Sequence, residues 1–216
     1  MLTAHSGSDN TAPNSWEFIH KYIQTNVDAI EIDIRKNQDN KLYLYHDSLT
    51  EMRETTVYLE DVLKLLKQYP HMYINCDLKE ENLEQPVIQL FKEYGLIKQL
   101  IFSGTVDLDH ITNSPIICFN IENYYPDFYT NEQLRKSNWI KGIKEYLDQY
   151  DINILNVNYK FFDKDLCQEV LDAGLQLSVW TVDSKEARQI YHQLHVFNIT
   201  TRQVDESLRE NLCSSI

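Results

Sequence analysis

Glu31, Ile32 and Asp33 form a Glu-x-Asp triplet inside an apolar run. In a strand, positions two apart face the same side, so the two carboxylates face it together. Burying both without partners costs several kcal/mol or shifts their pKa values strongly, and a divalent cation removes that cost. Asp77 ends another apolar run and could add a third carboxylate from a neighbouring strand. Oxygen-only ligation suits Mg²⁺ or Ca²⁺ rather than zinc. The competing reading is that these acids are solvated or paired with Arg35 and Lys79; Lys79, two past Asp77, shares its strand face. His5 and His46 each end an apolar run. One imidazole can accept a proton while the other donates one, transfers worth about 10²–10⁴ each. Structural, hydrogen-bonded histidines are the alternative. Trp180, near the end of a later run, is either a core residue or a platform for a ligand. His20, His71, His110, His192 and His195 fall in helices or loops and are assigned no role.

Short β-branched or aromatic runs alternate with helix-length amphipathic segments. The expected strands are 2–5, 28–34, 41–45, 72–78, 99–102, 116–121, 154–158, 175–181 and 196–200. The expected helices are 15–25, 59–69, 82–94, 131–149, 164–173, 185–194 and 206–213. Gly95 and Gly174 stand where a helix needs a left-handed last residue. Asp183 and Ser184 precede a helix as caps do, with Glu186 three past Asp183. Runs apolar at consecutive positions, such as Ile116-Ile117-Cys118-Phe119, suit strands covered on both faces. About eight strand–helix units predict a small (β/α)₈ barrel, with an open doubly wound sheet as the rival. In a barrel the site gathers at the C-terminal strand ends, which carry the residues above.

The chain has 216 residues, enough for one domain spanning 1–216. Its charge of −13 argues against nucleic acid and against anionic lipid surfaces. No run reaches 18 apolar residues, so no transmembrane segment is expected. The polar stretch from Ser6 to Asn10 leaves no room for a secretory signal, which places the protein in the cytoplasm. Cys76, Cys118, Cys167 and Cys213 form no Cys-x-x-Cys pair, and the first two read as small core residues. The terminal Cys-Ser-Ser-Ile imitates a prenylation box but lacks its aliphatic middle pair. No Gly-x-Gly-x-x-Gly and no Walker-type Gly-Lys-Ser/Thr occurs, which weakens nucleotide-fold readings.

Ala4-His5-x-Gly7, Pro13-Asn14, Glu31-Ile32-Asp33-Ile34, Lys41 through His46-Asp47, Asp77-Leu78-Lys79 and Trp180-Thr181-Val182 occur in that order. The set resembles the glycerophosphodiester phosphodiesterase family over nearly the whole chain. The block from Asp28 to Asp47 is its most specific part, and Trp180-Thr181-Val182 is a second anchor. The resemblance implies a (β/α)₈ barrel, in agreement with the strand–helix count. It implies that His5 and His46 are the acid–base pair and that Glu31 and Asp33 are metal ligands. Asp77 stands where the family usually has a glutamate ligand. Lys79 matches the family's lysine, and Trp180 matches the aromatic that lines the substrate mouth. The implied cofactor is one divalent cation, Mg²⁺ or Ca²⁺, and the implied partner is a small anionic phosphodiester.

The departures are specific. The family's His-Arg-Gly is His5-Ser6-Gly7 here, without the arginine that normally helps to hold phosphate. Pro-Glu-Asn-Thr is Pro13-Asn14-Ser15-Trp16, so Arg and Glu are absent together, as an interacting pair would be. Asp for Glu at position 77 shortens a ligand by one methylene, about 1.5 Å. Near the end, Thr-Asp gives way to Thr200-Thr201. The expected activity is metal-dependent cleavage of glycerophosphodiesters to glycerol phosphate and an alcohol. One rival is a phospholipase- or lyase-like enzyme acting on another head group, with a cyclic phosphate as product. The other is a non-catalytic barrel that binds a ligand or partner. For that rival, Phe119–Tyr129, with five aromatics in eleven residues, is a lid or contact surface; the favoured reading is an aromatic-rich connection packed onto the barrel.

Overall fold

The computed structural model of the chain describes residues 1–49, 54–111 and 115–213. Residues 214–216, which complete the prenylation-like box, lie outside them. The strands are β1 (Leu2–Ala4), β2 (Ala29–Lys36), β3 (Leu42–Leu44), β4 (Tyr73–Leu78), β5 (Leu100–Gly104), β6 (Ile116–Ile117), β7 (Phe119–Asn120), β8 (Ile154–Asn158), β9 (Gln176–Trp180) and β10 (Asn198–Thr201). Their order in the wall is β6-β5-β4-β2-β1-β10-β9-β8-β7, and every pairing along it is parallel. β6 and β7 flank Cys118 and are the two halves of one stave, β6 on β5 and β7 on β8. The Cys118 N–H donates to the Phe102 carbonyl at 2.9 Å, so the wall runs round through eight staves. This is the expected (β/α)₈ barrel.

The helices are α1 (Trp16–Tyr22), α2 (Leu59–Leu66), α3 (Glu84–Tyr94), α4 (Glu132–Arg135), α5 (Trp139–Leu147), α6 (Lys164–Asp172), α7 (Lys185–Gln193) and α8 (Val204–Cys213). Local chemistry sets their ends. Ser15, Asp163 and Ser184 accept from the backbone N–H three residues on, and Gly95 closes α3 at φ 73°. Gly174 likewise has positive φ after α6. α2 buries Leu59, Val62, Leu63 and Leu66, a stripe at helical spacing turned to the wall.

The wall separates two apolar compartments. Ile30, Ile32 and Ile34 of β2 join the large core shared with the helices. Ala29, Ile101, Cys118 and Ile154 form a small apolar cluster at the lower end of the barrel interior. Above it the interior is polar. Thr3 Oγ1 donates to Asn198 Oδ1 at 2.7 Å, Asn198 Nδ2 to Ser178 Oγ at 3.1 Å, and Asn156 Nδ2 to Asn120 Oδ1 at 2.8 Å. The upper end opens into the candidate site. Cys76, Cys118 and Cys167 are free and buried, as expected of small core residues.

Three expectations are corrected. The run 41–45 is a strand, but β3 pairs antiparallel with β2 and stands outside the barrel. Six residues separate the expected runs 28–34 and 41–45, too few for a parallel crossover, and Asn40 at φ 60° closes a hairpin instead. The expected helix 131–149 is divided into α4 and α5, because Ser137 Oγ turns back to the Leu134 carbonyl and Asn138 leaves helical geometry. The cap of α7 is Ser184, whose hydroxyl Glu186 accepts; Asp183 is turned elsewhere. Residues 119–129 are the packed connection of the favoured reading, not a lid: Phe119, Ile121 and Phe128 are buried, and Tyr124 stacks on Tyr146 of α5 at 4.5 Å.

Candidate active site

Alternation along β2 turns Glu31 and Asp33 inward together, and parallel register sets Asp33 of β2 directly opposite Asp77 of β4. Ligand oxygens from Glu31, Asp33 and Asp77 lie within 4.8 Å of one another. The Ser6 N–H donates to Glu31 Oε2 at 2.9 Å. Lys79 Nζ lies 2.9 Å from Asp33 Oδ1 and donates to Asp77 Oδ2 at 2.5 Å. Burial, then the charges of Asp33 and Asp77, hold the Glu31 carboxyl well above the usual carboxylate range. Burial also raises Asp77 against the pull of Lys79. Burial lowers the Lys79 ammonium, but Asp77 and Asp33 outweigh it and hold its pKa above its ordinary value.

One ammonium against three carboxylates leaves an excess of negative charge. Asp77 Oδ1 is buried without a hydrogen-bond partner. An all-oxygen set with a spare carboxylate oxygen fits a hard divalent cation, with Glu31, Asp33 and Asp77 as its holders.

His5 follows β1. Its Nδ1 donates to the Ser6 carbonyl at 2.8 Å, since a carbonyl can only accept. In the neutral ring this leaves Nε2 as the acceptor. Burial is the main force lowering the His5 pKa, with Arg202 adding to it. His46 rides on the loop after β3, exposed, with Nδ1 2.9 Å from Asp47 Oδ1. Arg35 Nε donates to the His46 carbonyl at 2.9 Å, and the Tyr45 N–H to the Asp33 carbonyl at 3.1 Å. These two bonds tie the hairpin loop to the ligand strand.

His5, Glu31, Asp33, His46, Asp77, Lys79 and Trp180 all border one cavity of about 460 Å³ at the C-terminal ends of the wall strands. A larger groove of about 980 Å³ opens at the opposite end, among Leu2, α7 and α8. Its Arg188 is paired with Glu206 and Glu210. The chemistry therefore belongs to the smaller cavity. Among the described residues, the buried Trp180 indole N–H has no hydrogen-bond partner.

The two departures in the first loop touch each other. Ser6 Oγ accepts from the Asn14 N–H at 2.7 Å. Asn14 Nδ2 donates to Asp33 Oδ2 at 2.6 Å, and the Asp33 N–H donates to Asn14 Oδ1 at 3.0 Å. Uncharged side chains thus fill both positions, and Asn14 braces Asp33.

Two charged residues of the cavity were not expected from the sequence. Glu122, just after β7, places a fourth carboxylate there, its pKa raised by burial. Arg202, just after β10, brings a guanidinium nitrogen to 3.5 Å from His5 Nε2. Both follow expected strand runs, so the strand-end rule that selects His5 and Asp77 would have found them too.

Solved structures with this fold are numerous. A protein of Agrobacterium tumefaciens, provisionally assigned as a glycerophosphoryl diester phosphodiesterase, aligns with TM-score 0.79 and 15% identity over 99% of this chain and 98% of its own. The glycerophosphodiester phosphodiesterase of Thermotoga maritima gives 0.68 and 21% over 96% of each chain. An Oleispira antarctica phosphodiesterase, solved with the product sn-glycerol-3-phosphate, gives 0.68 and 17% over 94% of this chain and 92% of its own. At these identities the likeness shows a shared barrel. No family model and no curated protein matches the sequence. Among the described residues, no helix is long and apolar enough to cross a membrane.

Proposed function

We propose that this protein is a divalent-metal phosphodiesterase that hydrolyses glycerophosphodiesters to glycerol phosphate and an alcohol, as a single domain over 1–216. The observation that carries the reading is the register pairing of Asp33 with Asp77, beside Glu31 and His5, at the open end of this barrel. The product-bound Oleispira phosphodiesterase supports the choice of substrate class. The buried free thiols suit a cytoplasmic setting.

Glu31, Asp33 and Asp77 would hold Mg²⁺ or Ca²⁺. When bound, the cation supplies a Lewis acid that polarises a phosphate oxygen and offsets charge. His5 Nε2 takes the proton of the attacking water as its oxygen bonds to phosphorus. The bond from phosphorus to the alcohol oxygen breaks, and His46 gives that alkoxide a proton. Lys79 pairs with Asp33 and Asp77 and has a third N–H for a phosphate oxygen. Trp180, half-buried at the cavity, offers its ring to the departing alcohol.

The test is turnover of glycerophosphocholine and of an aryl phosphodiester with Mg²⁺, Ca²⁺ or EDTA. Metal-dependent release of glycerol phosphate is expected, and His46→Ala should lower kcat about 100-fold or more with the fold intact. A cyclic phosphate product would instead favour the lyase-like rival. Full activity in EDTA, or in His46→Ala, overturns the mechanism.

A further inference from the structure

A phosphodiester entering this cavity meets four carboxylates: Glu31, Asp33, Asp77 and Glu122. Its anion needs a donor that those acids have not already taken. Ser6 cannot be that donor. It is 2% exposed, its N–H is given to Glu31, and its hydroxyl faces the Asn14 N–H. Lys79 has two of its donors committed to Asp33 and Asp77. Arg35 is turned to Glu80 and to the His46 carbonyl.

Arg202 is placed differently. Its backbone N–H donates to Asp183 Oδ1 at 2.7 Å, which fixes the turn after β10. Asp183 can do this because Ser184 caps α7 in its stead. The guanidinium stands 3.7 Å from Asp183 Oδ2, beyond hydrogen-bond length, and 3.5 Å from His5 Nε2. Its side chain is 48% exposed and borders the cavity. A planar fork of N–H donors therefore borders the mouth with no side-chain partner nearer than 3.5 Å among the described residues, in the geometry that binds phosphate oxygens two at a time.

We infer that Arg202 is the phosphate-binding residue of this site, supplying from the last strand the guanidinium that the first loop lacks. The inference rests on the phosphodiesterase reading for its substrate. It specifies an anion seated on the β10 side of the cavity, next to the ring nitrogen that takes the proton. Arg202 thus positions the diester with its phosphorus beside His5.

The experiment uses the full chain with Mg²⁺, comparing wild type, Arg202→Gln and Arg202→Lys. Binding of inorganic phosphate and of glycerol 3-phosphate is measured by calorimetry, and glycerophosphocholine turnover is measured in parallel. Arg202→Gln should bind both anions about 10- to 100-fold more weakly, the loss expected for charge-assisted hydrogen bonds. KM should rise more than kcat falls, and Arg202→Lys should recover part of the loss. An unchanged melting temperature is expected, because the Arg202 N–H bond to Asp183 survives in both variants. If wild type turns over substrate and Arg202→Gln keeps its anion affinity and KM, the inference is overturned and the function stands. If no diester is cleaved but Arg202→Gln still loses the anion, the function falls and the anion site stands. Absence of anion binding by wild type overturns the inference.

Discussion

Glu122 shows how little a residue's own type says about its environment. It follows a two-residue strand in an aromatic stretch, yet its carboxyl borders the cavity and one oxygen is buried without a partner. Burial holds its folded pKa above the ordinary 4.5. The folded state therefore binds this proton more tightly than the unfolded chain does. The stability associated with the neutral acid is complete below pH 4.5 and is lost as pH rises through the folded value. Glu122→Gln should then gain stability over wild type as pH rises from 4.5 to 7.5, read as urea midpoints. A difference that stays constant with pH overturns this. Of the site, Glu31, Asp33, Asp77 and His5 were legible in the sequence, because strand alternation and strand ends fix where such side chains go. Arg202 stands at a legible strand end as well, but its approach to His5 was not legible, since it joins residues 197 apart and exists only once β10 lies beside β1.

Element by element, the wall was readable and its attachments were not. Eight staves follow from β-branched runs spaced by amphipathic segments, and the runs at 154–158 and 72–78 fall almost on the observed strands. The hairpin of β2 and β3 escaped because a short apolar run looks the same whether its neighbour is parallel or antiparallel. Only the length of the connection tells them apart. That hairpin puts His46 outside the wall that carries the acids. Wall geometry depends on one glycine in particular. Gly104 ends β5 at φ 82°, and a Cβ there would collide with Asp77 Oδ1 and the Leu78 carbonyl. Gly104→Ala should cost about 2 kcal/mol or more, lowering Tm by roughly 4 °C or more. Because the collision is with Asp77, it should also reduce the stabilisation that Mg²⁺ or Ca²⁺ gives in a thermal melt. A melt with unchanged cation response would separate Gly104 from the ligand.

For the whole molecule, a barrel interior that is polar above a small apolar cluster leaves the mouth strongly acidic, on a chain of net charge −13. This field acts before any contact is made. At low ionic strength, where charge is felt over about 30 Å, it opposes the approach of an anionic diester; at 0.15 M the range falls to about 8 Å. The second-order constant kcat/KM should therefore rise as NaCl is raised from 10 to 150 mM at fixed Mg²⁺. A steady fall would mean that the cations at the mouth govern the encounter. The same field treats the two sides of the reaction unequally. A phosphomonoester carries nearly twice the charge of the diester it came from, so the repulsion that slows arrival hastens departure. In the proposed reaction, the acidic barrel trades speed of capture for freedom from its product.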